Sequence, residues 1–161
     1  MQNNTPAGKR IPDPETRQAT FADLPALVTL FEAYRVFYKM PADPDGAGRF
    51  LTNLLEKKLS IIYVIETNDG LCGFVQLYPL FSSTRMKPLW LLNDLFVAKA
   101  SRGLGYSRLL IEVAKQHAVQ SGACGLQLET HRDNKVANEL YRVTGFGLDV
   151  EHNYYFWQAG T

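Results

Sequence analysis

The stretch Arg102-Gly103-Leu104-Gly105-Tyr106-Ser107 joins two segments of different character. Residues 89–97 before it form an apolar run typical of a buried strand, and residues 109–114 after it carry a helical pattern. The first turn of a helix has backbone N–H groups without intrahelical partners, and these groups attract phosphate. Glycine lets a ligand approach the backbone closely, and Arg102 adds a charge suited to phosphate oxygens. The turn therefore predicts a pyrophosphate-binding site.

Two common phosphate-binding motifs do not fit this turn. A P-loop requires Gly-Lys-Ser/Thr after its glycines, and no such tripeptide occurs in the chain. A dinucleotide-binding fingerprint counted from Gly103 requires glycine or alanine at position 108, where the chain has Arg108. Another phosphate-ligand enzyme, such as a nucleotide-binding one, stays open as a reading of the turn alone.

The turn resembles the acetyl-CoA site of the GNAT N-acetyltransferases, whose signature is Arg/Gln-x-x-Gly-x-Gly/Ala. Arg102, Gly105 and Ser107 take the three signature positions, and the serine is a departure that places a hydroxyl near the phosphates. A second block resembles the family's following helix and its exit: Asn134-x-x-Ala137-x-x-x-Tyr141-x-x-x-Gly145-Phe146. The two blocks have the family's order and separation. Residues 34–38 and 92–97 also look like the polyamine/histone acetyltransferase-like subgroup.

The resemblance implies an α/β GNAT fold, in which a mixed, mostly antiparallel central sheet is flanked by helices in a single domain. We expect that domain to span residues 16–161, after a flexible tail of residues 1–15. The resemblance also implies acetyl-CoA as cosubstrate, no metal, an amine acceptor, direct transfer without a covalent enzyme intermediate, and a homodimer. A non-catalytic acyl-CoA-binding or sensory module with the same fold is the alternative.

Periodicity and turn residues predict the order of elements independently. They indicate a strand at 17–21 and a helix that opens at Asp23, carries Tyr34 and Tyr38 among its apolar positions and ends at Met40-Pro41. They further indicate a helix opening at Asp43-Pro44, strands at 61–66, 73–80 and 89–97, a helix at 104–120 that ends at Gly122, a strand at 124–129, a helix from Asp133 to Gly145, and a strand at 150–157.

Composition excludes some classes of partner. The chain has 161 residues, a net charge of +1, 46% hydrophobic and 20% charged residues, as in ordinary globular domains. No global field recruits nucleic acid or a membrane surface. Residues 1–15 are polar and lack the apolar run of a secretory signal, so we expect a cytoplasmic protein. Cys72 and Cys124 are then reduced, and we interpret both as small buried residues.

Acetyl transfer to an amine sets two requirements for the site. An alkyl amine has a pKa of about 10.4, so reaching its neutral form at pH 7 costs roughly 4.6 kcal/mol. A base or a desolvating pocket must supply this energy. Asp94 is the candidate base, acting directly or through water, or it binds a cationic substrate; Glu129 is a weaker candidate. Tyr141, at the position where the family's tyrosine points at the thioester sulfur, is the candidate acid.

The remaining site residues follow from the resemblance and from position in the chain. Strand alternation places Asn93 and Asp94 on opposite faces, so at most one of them points directly at the acceptor. Tyr38 and Asn93 are the candidate substrate contacts, and we interpret His117 as a packing residue. The candidate cofactor-binding residues are Leu95, Phe96, Val97, Arg102, Gly103, Leu104, Gly105, Tyr106, Ser107 and Asn134.

Overall fold

The computed structural model describes residues 14–160, so most of the expected tail (residues 1–15) lies outside the described residues. The strands are β1 (Glu15–Gln18), β2 (Ile61–Thr67), β3 (Gly70–Ser82), β4 (Lys87–Val97) and β5 (Leu126–Gln127). The helices are α1 (Leu24–Phe37), α2 (Pro44–Glu56), α3 (Tyr106–Gln120) and α4 (Lys135–Val143). None of these helices is both long and apolar enough to span a bilayer.

One sheet, ordered β1-β2-β3-β4-β5, organises the fold. The first four strands pair antiparallel with their neighbours, and β5 pairs parallel with β4. The predicted α/β class, with a mixed and mostly antiparallel sheet flanked by helices, is therefore confirmed. Between β3 and β4 the register shifts, because Gln76 faces Asp94 while Leu77 faces Leu92. Asn93 is thus the extra residue of a β-bulge in β4.

Helices α1, α2 and α3 cover both faces of this sheet. On one face, Leu27 of α1 and Leu51 of α2 are fully buried in a cluster that includes Phe74. On the other face α3 packs against Gly73, where an added Cβ would lie 3.4 Å from Leu110 Cδ1. This close packing fixes the start of α3 near the end of β4, where the glycine-bearing turn lies.

Several predicted boundaries need correction at the first half of the chain. β1 occupies Glu15–Gln18 rather than 17–21, because residues 21–23 form a short 3₁₀ turn. Asp23 occupies the N-cap position of α1, but its carboxylate makes no cap hydrogen bond. That carboxylate instead pairs with Arg17 at 2.6 Å. The start of α2 at Asp43-Pro44 is confirmed, with Asp43 Oδ1 accepting from the Gly46 N–H at 2.9 Å.

The second half also differs in detail. α3 begins at Tyr106 instead of residue 104, since Gly105 is its N-cap. The strand expected at 124–129 has only two residues in its ladder, Leu126 and Gln127. Gly122 and Gly145 end α3 and α4 as predicted, at φ +68° and +87°.

The described residues divide into two compact units, the first ending at Leu128 and the second beginning at Glu129. The second unit contains α4, and residues 144–160 have no helix or strand. The predicted strand at 150–157 is therefore wrong. Its aromatic residues favour a strand, but that preference depends on pairing, and these side chains are solvent-exposed.

Candidate functional site

The turn between β4 and α3 has the backbone conformation that its glycines allow. Gly103 and Gly105 have φ values of +80° and +82°, in the left-handed region. A Cβ built on either glycine would meet no atom within 4 Å, so the backbone faces open space. Helical geometry leaves the first N–H groups of α3, from Tyr106 onward, without intrahelical acceptors. An anion approaching this turn would meet the backbone donors at the start of a helix.

Along one edge, the last residues of β4 have no strand partner among the described residues. β5 pairs with β4 only at Trp90 and Leu91 among the described residues. Leu95, Phe96 and Val97, further along, have β3 as a ladder partner on the other side. Strand N–H and C=O groups at an unpaired edge are available for hydrogen bonds to an extended ligand. The three residues thus offer backbone groups beside the glycine-bearing turn.

Arg102 points its guanidinium toward aromatic rings. Its Nε donates to the Val97 carbonyl oxygen at 3.0 Å. Its central guanidinium carbon lies 5.5 Å from the ring centroid of Phe37 and 5.6 Å from that of Phe96. The side chain therefore joins the last residues of α1 and β4. Its expected role as a phosphate contact stays a prediction.

Asp94 is a buried carboxyl beside the bulge. It is 5% exposed, and its Oδ2 accepts a hydrogen bond from Asn93 Nδ2 at 3.0 Å. The Tyr34 hydroxyl on α1 hydrogen-bonds to the same carboxyl. Burial raises the pKa of Asp94, and the hydrogen bonds from Asn93 and Tyr34 partly oppose that rise. The described residues form no salt bridge with it, so the carboxyl has neutral donors and no cation as neighbours.

Asn93 and Asp94 differ from their expected arrangement. Strand alternation predicts opposite faces, and Asn93 is indeed exposed while Asp94 is buried. The bulge nevertheless brings their side chains within hydrogen-bonding distance of each other. The two side chains therefore lie together instead of apart.

Aromatic residues at the end of α1 lead to this carboxyl. The Tyr34 ring lies edge-on to that of Tyr38, with centroids 5.0 Å apart, and Tyr38 lies edge-on to Phe37 at 5.2 Å. Tyr34 is half-buried, whereas Tyr38 is 54% exposed. An aromatic path thus runs from solvent to the buried Asp94. The apolar spacing predicted Tyr38 as a residue of the first helix, but Tyr38 is the C-cap of α1.

Sequence reasoning missed Tyr34 and Tyr78 as neighbours of Asp94. Tyr34 was grouped with the apolar stripe of its helix, and no local signal shows that its hydroxyl reaches β4. Burial, together with the charge of Asp94, raises the pKa of Tyr78 to about 12, so this phenol is neutral at physiological pH.

Across the ladder from Asp94, the fully buried Gln76 donates from Nε2 to Ser60 Oγ at 2.8 Å.

Two residues outside the site have packing roles. His117 Nδ1 lies 3.0 Å from the Tyr63 hydroxyl, and its ring lies edge-on to Trp90 with centroids 4.6 Å apart. Burial lowers the pKa of His117, which favours the neutral form. Cys72 is buried, and burial raises the pKa of its thiol. Within residues 14–160 no cluster of three or more His, Cys, Asp or Glu side chains is placed to hold a metal ion.

The second compact unit carries the other two predicted positions. Asn134, and not Asp133, is the N-cap of α4, with Oδ1 accepting from the Ala137 N–H at 3.1 Å. Asn138 braces the preceding loop by donating from Nδ2 to the carbonyl oxygens of His131 and Asn134 at 3.0 and 2.8 Å. Tyr141 is half-buried, and its ring lies edge-on to Phe146 with centroids 5.7 Å apart.

Known proteins resemble this chain in sequence and in structure. Residues 27–146 match the acetyltransferase (GNAT) family. The chain is 42% identical over 139 residues to the "uncharacterized N-acetyltransferase YhfO" of Bacillus subtilis, covering 86% of this chain and 93% of the relative. A solved structure described as a "probable acetyltransferase" has a TM-score of 0.87 at 37% identity, covering 91% of this chain and 99% of that one. An aminoglycoside N-acetyltransferase in complex with CoA has a TM-score of 0.76 at 16% identity, covering 91% and 95%, and shares the fold.

Proposed function

Since the chain belongs to the GNAT family of acetyltransferases, we propose that it transfers an acetyl group directly from acetyl-CoA to a primary amine. It is an acetyl-CoA-dependent acyltransferase by family. The acceptor is a small-molecule, polyamine-like or protein amine. The observation that carries the proposal is the buried, hydrogen-bonded Asp94 on β4, the strand that leads toward the glycine-bearing turn, because a carboxyl suits an amine and the turn suits a phosphate.

The cofactor side of the proposal rests on backbone groups. Gly103, Leu104, Gly105, Tyr106 and Ser107 would hold the pyrophosphate through the N–H groups at the start of α3. The open edge of β4, at residues 95–97, would hydrogen-bond the pantetheine arm, and one N–H there would polarise the thioester carbonyl. We propose Asn134 as a further contact. When bound, acetyl-CoA supplies an activated acetyl group whose leaving group is a thiolate.

The acceptor side rests on charge and aromatic rings. A buried carboxyl whose neighbours are neutral donors gains a counter-ion when an ammonium group binds beside it. Aromatic faces on the way, from Tyr38 and Tyr34, attract the same cation. The Asn93 amide donates a hydrogen bond to the Asp94 carboxyl, and Asn93 is the exposed residue of the bulge. Together these residues favour an amine that arrives protonated.

Two proton transfers complete the reaction. Asp94 accepts the proton that the acceptor amine must lose before its nitrogen attacks the thioester carbon, directly or through water. A raised pKa suits this role, because a base works best when its pKa approaches the working pH. Tyr141 donates a proton to the sulfur as the carbon–sulfur bond breaks. The motif position of Tyr141 supports that assignment.

An amine panel tests the proposal. The protein is incubated with acetyl-CoA and single amines, including diamines, polyamines, aminoglycosides and lysine peptides, and the products are detected by mass. We expect thiol release that depends on the amine, with a monoacetylated product. Binding of CoA without amine-dependent release would instead indicate the non-catalytic acyl-CoA-binding module. Thermal stabilisation by ATP and not by CoA would indicate a nucleotide enzyme.

Two further properties belong to the same proposal. We propose a cytoplasmic homodimer, on the family resemblance. Light scattering of the purified protein tests the dimer, and cell fractionation tests the location. A monomer in light scattering would remove the dimer and leave the catalytic assignment unaffected.

A further inference from the structure

Arg102 makes three contacts that converge on two element ends. Its Nε donates to the carbonyl oxygen of Val97, the last residue of β4, at 3.0 Å. Its guanidinium lies over Phe37, the last residue of α1, and over Phe96, at 5.5 and 5.6 Å. Arg102 itself opens the glycine-bearing turn. One side chain thus connects the cofactor turn, the end of β4 and the end of α1.

The end of α1 contains a strained residue, so contacts from Arg102 can stabilise it. The helix ends in a Schellman motif, in which the Met40 N–H donates to the Arg35 carbonyl oxygen at 3.0 Å. The left-handed residue of that motif is usually glycine, but here it is Lys39, at φ +63°. A residue with a Cβ is strained in this conformation and persists there when surrounding contacts hold it. Phe37, two residues earlier, is 55% exposed, and Arg102 lies against its ring.

We propose that Arg102 is a positioning residue that holds the end of α1 against β4, and is not a ligand of the pyrophosphate. The inference rests on the proposed function for its meaning, because Tyr38, the candidate acceptor contact, directly follows Phe37. Placing the aromatic path correctly beside Asp94 then depends on a residue of the cofactor turn. The phosphate is left to backbone N–H groups, which need no side-chain charge to bind it.

Amide hydrogen exchange in the ligand-free protein gives the primary test. Arg102→Ala removes the cation and the hydrogen bond, so the amides of residues 38–40 should exchange about two- to fivefold faster, as expected for loss of an exposed cation–π contact. Arg102→Lys keeps a cation over the rings and should restore part of the protection. Phe37→Ala, which leaves the turn intact, should raise exchange at the same amides. Unchanged exchange in both alanine variants overturns the proposal.

Matched controls separate the effect of the Arg102 contacts from the general effect of removing an exposed side chain. Arg85→Ala removes an exposed arginine of the β3–β4 hairpin, and Phe21→Ala removes a phenylalanine that is equally exposed at 55%. Neither should change exchange at residues 38–40. Because no acetyl donor or amine is present, the measurement is informative even if the amine panel fails.

Calorimetry distinguishes positioning from phosphate binding. CoA and pantetheine, which lacks the phosphates, are titrated into the parent and into Arg102→Ala. A positioning residue predicts similar changes in affinity for the two ligands, whereas a loss confined to CoA overturns the proposal. With an amine identified by the panel, the KM for that amine should rise more than kcat falls in Arg102→Ala, and Arg102→Lys should recover most of the difference.

Discussion

The proposed cofactor turn and the proposed acceptor side of this protein differ in which parts of the chain form them. The turn consists of backbone: two left-handed glycines, open space above them and the first N–H groups of α3. The acceptor side consists of side chains from separate elements: Asp94 on β4, Tyr34 on α1 and a bulge that turns Asn93 toward its neighbour. One half of the site therefore depends on local conformation, and the other depends on tertiary packing.

This difference predicts that the two halves fail separately. Substitutions that fill or strain the turn should weaken cofactor binding and leave proton transfer groups in place. Substitutions in the acceptor cluster should reduce turnover and leave cofactor affinity near that of the parent.

Removing the Tyr141 hydroxyl should have the largest effect. Tyr141→Phe removes a proton donor with almost no change in volume, and a general acid contributes about 10²–10⁴-fold to rate. Turnover should fall within that range while CoA affinity and melting temperature stay close to the parent's. Tyr155→Phe, at an 86% exposed tyrosine of the same unit, is the control. Unchanged turnover with chemistry rate-limiting would exclude Tyr141 as the acid.

Neutralising Asp94 tests the acceptor half. Asp94→Asn should reduce kcat/KM by about 10²-fold, the lower end expected for loss of a general base. In the parent, kcat/KM should rise with pH through the raised pKa of Asp94, because the base acts only when ionised. The variant should lack this rise. A pH profile that is the same in both proteins would contradict the assignment.

The same variant has a consequence for stability. Because burial raises the pKa of Asp94 above its unfolded value, its contribution to stability is fully present below that unfolded pKa, about 3.9, and is lost as pH rises through the folded pKa. Asparagine does not ionise and avoids this loss. The melting temperature of Asp94→Asn, relative to the parent, should therefore improve as pH increases from acid to neutral. A relative decline over that interval would mean that Asp94 ionises more easily in the folded protein.

Filling the turn tests the cofactor half. Gly105→Val places a branched side chain at φ +82°, where the cost is about 1–2 kcal/mol, and puts its methyl groups in the space above the backbone. CoA affinity should fall by about tenfold or more. Gly70→Val, in the β2–β3 hairpin at φ +99° with equally open surroundings, carries comparable strain away from the site. If Gly70→Val loses as much affinity, strain alone explains the effect.

The smallest effect concerns the end of α1. Lys39→Gly relieves a left-handed residue and should raise the free energy of unfolding by about 1 kcal/mol, which corresponds to roughly 2–4 °C in melting temperature. Lys58, at φ +52°, ends α2 in the same way and offers a matched substitution. Calorimetric melting of both variants measures the gain. Destabilisation by Lys39→Gly would mean that the lysine side chain makes a compensating contact.

The contrast also explains which parts of the molecule the sequence predicted. Gly122 and Gly145 ended their helices where expected, because glycine is the usual left-handed residue of a Schellman motif. Lysines end α1 and α2 by the same motif, and nothing in the local sequence marks these lysines as helix ends. The predicted end of α1 at Met40 therefore lies beyond the observed end at Phe37. The turn at 103–105 was predictable because its left-handed backbone requires glycines, and glycines are visible in the sequence.

Features that depend on pairing or on distant contacts were not predictable. The bulge at Asn93 arises from the register of β3 against β4, and a single strand carries no sign of it. The hydrogen bond between Tyr34 and Asp94 joins residues sixty positions apart by their numbers in the chain. The segment 150–157 has the aromatic composition of a strand, but a strand needs a partner to form its ladder.

The most direct test is a parallel calorimetric titration of CoA into the parent, Gly105→Val and Asp94→Asn, with turnover measured on the same samples. We expect Gly105→Val to lose CoA affinity. We expect Asp94→Asn to bind CoA as the parent does and to lose amine-dependent turnover. Equal loss of CoA affinity in both variants would contradict the separation of a backbone-built cofactor site from a side-chain-built acceptor site.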